Sequence, residues 1–303
     1  CDAQYNVFDI SSPASVQVSV SNSVGATDSF RMTVSWETCA GIPLQTAADV
    51  RTFSLAKNES RDFDVQFRAE KQGPYRATVS LVDNGTKALL ARRRILVGVR
   101  DPRLFEQGTV EAFDPASAGT FDLKKRLRDH STVWGTEVFS SVAKFGRYPG
   151  PQFFRRFKEG GGELVSAYVR YKYFEPLPGV YNLEYMDRMV RSAREHDLGL
   201  TLGLWWWDFR GPSQYWMAEE RKRKRDGSFG KGNDALYSLF SSKYRRHAFR
   251  AVDVMLKRYL HTPEVWIWHP HPYGWVDHNA HHIFDFHPEA LEAWADYLEQ
   301  RYR

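Results

Sequence analysis

Cysteine is scarce: only Cys1 and Cys39 occur in 303 residues. That excludes a multi-disulfide scaffold and a four-cysteine zinc site. No run approaches the ~18–20 uninterrupted apolar residues of a membrane-spanning helix. No G-x-G-x-x-G follows any strand-like segment, so a dinucleotide-binding Rossmann unit would lack its phosphate turn, and no cofactor is expected. Charge of one sign is also in short supply, with 42 Lys+Arg against 37 Asp+Glu and a net of +5. The run Arg221-Lys222-Arg223-Lys224-Arg225 concentrates five positive charges in one loop. A nucleic-acid binder spreads its basic footprint over a face or a stripe, so no nucleic-acid partner is expected. A solvated loop, or a patch for an anionic polysaccharide, fits that run better.

Apolar and aromatic residues are plentiful. The hydrophobic fraction of 42% suffices for a core and rules out an intrinsically disordered chain. Aromatics reach 15%, with 10 Trp, 15 Tyr and 20 Phe, and nine of the ten Trp follow residue 133. The second half of the molecule therefore carries a feature the first half lacks.

The length predicts about two domains. Residues 14–100 alternate apolar and polar residues. Val16, Val18 and Val20 form one such row, and Met32, Val34 and Trp36 a second. Phe63, Val65 and Phe67 form a third, and Tyr75, Ala77, Val79 and Leu81 a fourth. Period-2 alternation gives strands with one buried and one wet face. Asp83-Asn84-Gly85 signals a tight turn, and Leu90–Val99 closes the set. Residues 1–100 are thus expected to be an all-β immunoglobulin-like sandwich. Residues 101–130, with Pro102 and Pro115, read as a linker.

From 131 to 303 the pattern becomes α/β. Strands are expected at Thr136–Ala143, Glu163–Tyr171, Gly199–Trp207 and Val265–His271. Helices are expected from Pro151, stopped by Gly160-Gly161-Gly162, and after Asn182. Two more are expected on Ala248, Val252, Met255, Leu256 and Tyr259, and from Pro288 with Leu291, Trp294 and Leu298 aligned. Four β/α units imply a parallel sheet and a partial TIM-type β/α barrel, because a full barrel needs roughly 250 residues.

Such barrels keep their chemistry in the loops after the strands. Here those loops hold Arg170, Tyr171 and Tyr173; then Trp205, Trp206, Trp207, Asp208 and Trp216; then His269, His271, Tyr273, Trp275 and Asp277. Sugars present apolar C–H faces ringed by hydroxyls, which flat aromatics and Asp, His and Arg satisfy. Arg170, Tyr171, Tyr173, Trp205, Trp206, Trp207, Trp216, His269, Tyr273 and Trp275 are the candidate substrate-binding residues. Alternate residues of these strands are equally suited to a core. An oligo- or polysaccharide is the expected partner.

The run YFEPLPGVYNLEYMDRMVRSAREHDLGLTLGL, starting at Tyr173, resembles the E-P-x-x-G-x-Y-[ND]-[FWL]-x-x-[LM]-D segment of family 42 glycoside hydrolases and related clan A enzymes. YRRHAFRAVDVMLKRY, HTPEVWIW and FHPEALEAWADYLEQRY follow in the same order. The similarity covers about residues 135–303. It implies a retaining glycosidase, with two carboxyl groups ~5–5.5 Å apart as acid/base and nucleophile. It also implies that Arg170 supports the active carboxylates. The sequence departs from the family where an Asn-Glu pair is expected, reading His271-Pro272-Tyr273-Gly274. The nucleophile belongs near a seventh strand, outside the four units. Asp208, His271 and Asp277 are the substitute catalytic candidates; imidazole titrates near neutral pH.

Three readings follow. The first is a secreted glycoside hydrolase, β-galactosidase- or agarase-like and acting on a plant or algal polysaccharide, or a part of one. The second is a non-catalytic sugar-binding relative. The third is a metal-dependent hydrolase, since seven of the ten histidines fall between His261 and His287; no spacing among them is diagnostic and no metal site is assigned. Cys1 followed by Asp2 resembles a bacterial lipoprotein after signal cleavage, so a secreted, periplasmic or cell-surface location with a lipid tether on Cys1 is expected.

Overall fold

The computed structural model describes residues 6–23, 25, 28–39, 41–44, 48–113, 135–137, 150–205, 215–229, 237–271 and 285–302. Two units emerge, dividing between Pro102 and Arg103. No helix among the described residues is long and apolar enough to cross a membrane.

The first unit is all β. Its strands are β1 (Val7–Asp9), β2 (Ala14–Ser21), β3 (Asp28–Thr38), β4 (Asp49–Leu55), β5 (Ser60–Phe67), β6 (Gly73–Asp83) and β7 (Leu89–Arg100). One sheet has the order β1-β7-β6-β3-β4, and β2 pairs with β5 in a second. Alternate residues of both sheets meet in one core, which includes Val16, Val20, Met32, Val34, Trp36, Val65, Phe67, Ala77 and Val97. Trp36 stacks on Phe67 with ring centres 4.5 Å apart, and Phe67 meets Tyr75 edge-on at 5.1 Å. The period-2 rows are therefore the core rows. Val18 is only partly buried, at the margin of this cluster. The expected turn holds: Asp83 Oδ1 accepts from the Thr86 N–H at 2.6 Å and from its hydroxyl at 2.9 Å. These bonds hold the Asp83 carboxyl below its ordinary range. The parallel β1–β7 pairing, Val7 opposite Gly98, has no counterpart in the sequence pattern.

The second unit contains β8 (Gly135–Glu137), β9 (Leu164–Arg170), β10 (Gly199–Trp205) and β11 (Val265–His271). Its helices are α1 (Pro151–Glu159), α2 (Tyr171–Phe174), α3 (Leu183–Glu195), α4 (Ser242–Tyr259) and α5 (Pro288–Tyr302), with a 3-10 segment at Tyr215–Glu220. The sheet is parallel throughout, in the order β8-β9-β10-β11. Strand order thus follows chain order with no reversal. The glycine stop works as expected. Gly161 lies at φ +83°, a left-handed conformation that glycine adopts without penalty, and the N–H groups of Gly160, Gly161 and Gly162 take up the last carbonyls of α1.

Three expectations need correction. Helix α4 buries Tyr244, His247, Ala251, Val254, Met255 and Tyr259, whereas Ala248, Val252 and Leu256 are half-buried. The inward stripe is rotated because His247 and Tyr244, polar by type, have partners inside. On α5 only Ala290 is buried; Leu291 and Trp294 stand exposed, Trp294 stacked on Tyr297 at 5.4 Å. Its weak segregation of apolar residues made an aligned stripe look like a core face. Residues 103–113, expected as linker, are bound to α3 and α4. Arg258 donates to the Glu111 carbonyl at 2.8 Å, the Phe113 N–H donates to the Arg258 carbonyl at 2.8 Å, and Arg246 pairs with Glu106 at 2.7 Å.

Candidate active site

The strand register brings three candidates together. Trp205 is opposite Arg170 on one side and opposite His271 on the other, so all three occupy one level at the C-terminal ends of β9, β10 and β11. Two residues earlier, Tyr168, Gly203 and His269 form the next level. Between these levels run aliphatic rows: Val165, Ala167 and Val169 on β9 with Leu200, Leu202 and Leu204 on β10, all buried. Pleating sends alternate rows to opposite faces. The aliphatic row of β9 and β10 continues at Trp268 and Pro270 on β11, and Arg170, Trp205 and His271 hold positions in the alternate row. Arg170 is half-buried, as is Tyr173 one turn further on, where Lys172 lies over its ring at 5.1 Å.

Two other candidates are inside the protein. Tyr171 is 1% exposed and donates its hydroxyl to Glu175 at 2.6 Å. Burial first, and then the Glu175 charge, push the Tyr171 phenol well above its ordinary range, so it remains a donor. Trp216 is 3% exposed, and its Nε1–H donates to the Pro176 carbonyl at 3.3 Å. The side chains of Trp205, His269 and His271 are outside the described set. So are residues Trp206, Trp207, Asp208, Tyr273, Trp275 and Asp277 in full.

Sequence reasoning missed the residue on which the local architecture turns. Glu175 is fully buried. Its Oε2 accepts from Tyr171, while its Oε1 accepts from the Gly179 N–H at 2.8 Å and faces His247 Nδ1 at 2.6 Å. The Val180 N–H closes a turn onto the Leu177 carbonyl at 3.0 Å. Pro178 and Gly179 are its central residues, with Gly179 at φ +70°, as a type II turn requires. Tyr181 and Met186 are buried, Tyr181 5.5 Å from the Phe174 ring. Asp187 then receives a two-pronged contact from Arg258, at 2.8 and 2.6 Å, and the Tyr259 hydroxyl at 2.6 Å. Burial, the largest influence, would lower the Arg258 pKa, but the hydrogen bonds and charges of Asp187 and Tyr259 together outweigh it and the guanidinium rises above its ordinary value. Glu175 and Asp187 of the E-P-x-x-G-x-Y…D segment thus stitch the β9–α3 connection to α4, while Gly179 and Tyr181 shape the connection itself. With both oxygens committed below the surface, Glu175 serves as framework and is no acid/base candidate.

The basic run also changes character. Arg221 and Arg223 lie over the Phe229 ring at 4.2 and 5.0 Å, and Arg223 pairs with Glu219 at 3.1 Å. Burial lowers the Lys222 pKa. Only Lys224 and Arg225 are exposed. Arg221 and Arg223 are therefore built into the loop's own packing, and Lys222 is half-buried.

The geometry defines a class: a parallel β/α unit whose strand order follows chain order among the described residues. Residues 151–303 match the family of glycoside hydrolases numbered 42, described as beta-galactosidase, and the chain belongs to that family. Among solved structures it is similar to the beta-galactosidase of the psychrophilic Marinomonas ef1, at 19% identity and a TM-score of 0.42, over 56% of this chain and 26% of that one. It is similar also to the beta-galactosidase of Halorubrum lacusprofundi, at 18% and 0.42, over 56% and 25%. A family 39 glycoside hydrolase from Bacteroides cellulosilyticus WH2 aligns at 14% and 0.31, over 87% and 41%. The chain spans about a quarter of the length of the two beta-galactosidases. No curated protein matches it.

Proposed function

We propose that this protein is a glycoside hydrolase acting on a galactose-containing plant or algal polysaccharide. The sugar would lie across the C-terminal ends of β9, β10 and β11. The observation that carries this reading is the level shared by Arg170, Trp205 and His271. It supplies a cationic, an aromatic and an imidazole residue type side by side, where β/α enzymes bind substrate. An immunoglobulin-like module followed by a TIM-type barrel is the architecture proposed with it. The alternating core rows of the first unit and the unreversed strand order of the second support that architecture.

The test is turnover of aryl β-galactosides and agar-derived oligosaccharides by the full-length gene product, with binding measured in parallel. Hydrolysis of either class supports the proposal; neither binding nor hydrolysis contradicts it.

A second reading, a sugar-binding relative without catalysis, is favoured by one observation. Strand β11 ends on His271, followed by Pro272, where the family resemblance implies Asn-Glu. Saccharide binding without turnover would select that reading.

A further inference from the structure

A cluster at the start of α5 carries an inference that the sequence alone does not. The side chain of His287 is 6% exposed. Among the described residues its ring makes no hydrogen bond. Nδ1 is buried without a partner, and Nε2 stands 3.7 Å from Glu220 Oε2. That separation is too long for a hydrogen bond. Glu289 completes the group: one ligand atom from each of Glu220, His287 and Glu289 lies within 4.8 Å of the other two. A cation bound at Nε2, the ring nitrogen that faces Glu220, would give that nitrogen a ligand bond and neutralise two carboxylates that converge on one point.

We infer that Glu220, His287 and Glu289 form a binding site for a divalent cation of the zinc class. The donor set is one imidazole nitrogen and two carboxylate oxygens, which zinc accepts, with a fourth position left for water. Tetrahedral zinc with bonds of about 2.0–2.2 Å sets its ligand atoms roughly 3.3–3.6 Å apart. The observed 3.7 Å between Glu220 and His287 needs only a small contraction.

The surroundings orient these ligands as outer hydrogen bonds do in metal sites. Glu220 Oε2 accepts from the Ser241 hydroxyl at 2.7 Å. Glu289 accepts from the Ser242 N–H at 2.9 Å and from its hydroxyl at 3.3 Å. The His287 N–H donates to Asp285 Oδ1 at 3.0 Å. Lys243 Nζ is 3.5 Å from the other Glu220 oxygen, leaving Oε2 to face the imidazole. Glu220 ends the 3-10 segment after β10, His287 immediately precedes α5, and Glu289 is in the first turn of α5, after β11. The cation would therefore clamp the connections that follow two adjacent strands.

The test strips the full protein with a chelator and titrates it with zinc chloride. Heat of binding and thermal midpoint are followed in the parent, His287→Ala and Glu289→Gln, with circular dichroism to establish folding. We expect one zinc per chain in the parent, a midpoint that rises with zinc, and affinity at least tenfold weaker in both variants. Should His287→Ala fail to fold, Glu289→Gln alone decides. Undiminished binding in the folded variants would place the zinc on other histidines and overturn the inference. So would a thermal midpoint insensitive to zinc.

Discussion

Both oxygens of Glu175 are committed to groups from its own segment and from α4, and this decides what substitution there does. In Tyr171→Phe, Glu175 Oε2 loses its hydroxyl donor inside the protein, with an expected cost of about 1–3 kcal/mol and no effect on saccharide affinity. Glu175→Gln places an amide N–H₂ where donors already converge and should cost at least ~2 kcal/mol. Chemical denaturation checks both. Equal loss of stability and activity in folded Tyr171→Phe would mean that the tyrosine touches substrate. Gly179 sits at φ +70°, so Gly179→Ala should cost roughly 1–2 kcal/mol through backbone strain alone. At this scale the sequence was partly legible. The spacing of Glu175, Pro176, Gly179 and Tyr181 marked the family, yet nothing in it distinguished a framework carboxylate from a reacting one. That distinction lies in burial and in the number of donors, which depend on residues 72 positions away in the chain, at His247.

At the scale of elements, two of the segments that resemble family 42 bind each other. Glu175 meets His247, and Asp187 meets Arg258 and Tyr259. The Asp187 and Arg258 side chains are 13% and 16% exposed, so truncating one leaves a largely desolvated charge. Asp187→Ala should therefore destabilise by about 3–5 kcal/mol, more than any single hydroxyl deletion nearby. A calorimetric midpoint unchanged from the parent would show that the α3–α4 stitch is dispensable. Gly199 opens β10 against the Trp266 ring, and an added Cβ would overlap that ring. Gly199→Ala is expected to cost about 1–3 kcal/mol by overpacking. Strand positions were readable because alternation at period 2, or a short apolar run, survives any tertiary context. Helix faces were less so. On α4 the buried stripe passes through His247 and Tyr244, which apolar periodicity discounts. On α5 an apparent apolar alignment proved to be an exposed one, at Leu291 and Trp294.

Across the whole molecule, two units with unlike construction lie in one chain. The first closes a core between two sheets, and the second winds four parallel strands in chain order. Alternation of strand and helix in the sequence was enough to predict a parallel sheet. The absence of a phosphate-binding turn argued against a dinucleotide fold. The register that lines up Arg170, Trp205 and His271 was not legible, because it depends on hydrogen-bonding between strands whose first residues, 164, 199 and 265, are 35 and 66 positions apart rather than on any local pattern. The basic run invited an anionic partner, but Arg221 and Arg223 are engaged within the loop and Lys222 is half-buried, which weakens that attraction.

The most direct test of the account compares saccharide affinity among three folded variants. Arg170→Ala and Trp205→Ala alter the shared level at the strand ends, and Trp294→Ala alters an exposed aromatic on α5. Isothermal titration with a galactose-containing oligosaccharide should show affinity at least tenfold weaker in the first two and unchanged in the third. Equal affinity in all three, or a loss confined to Trp294→Ala, would contradict the placement of the sugar across β9, β10 and β11.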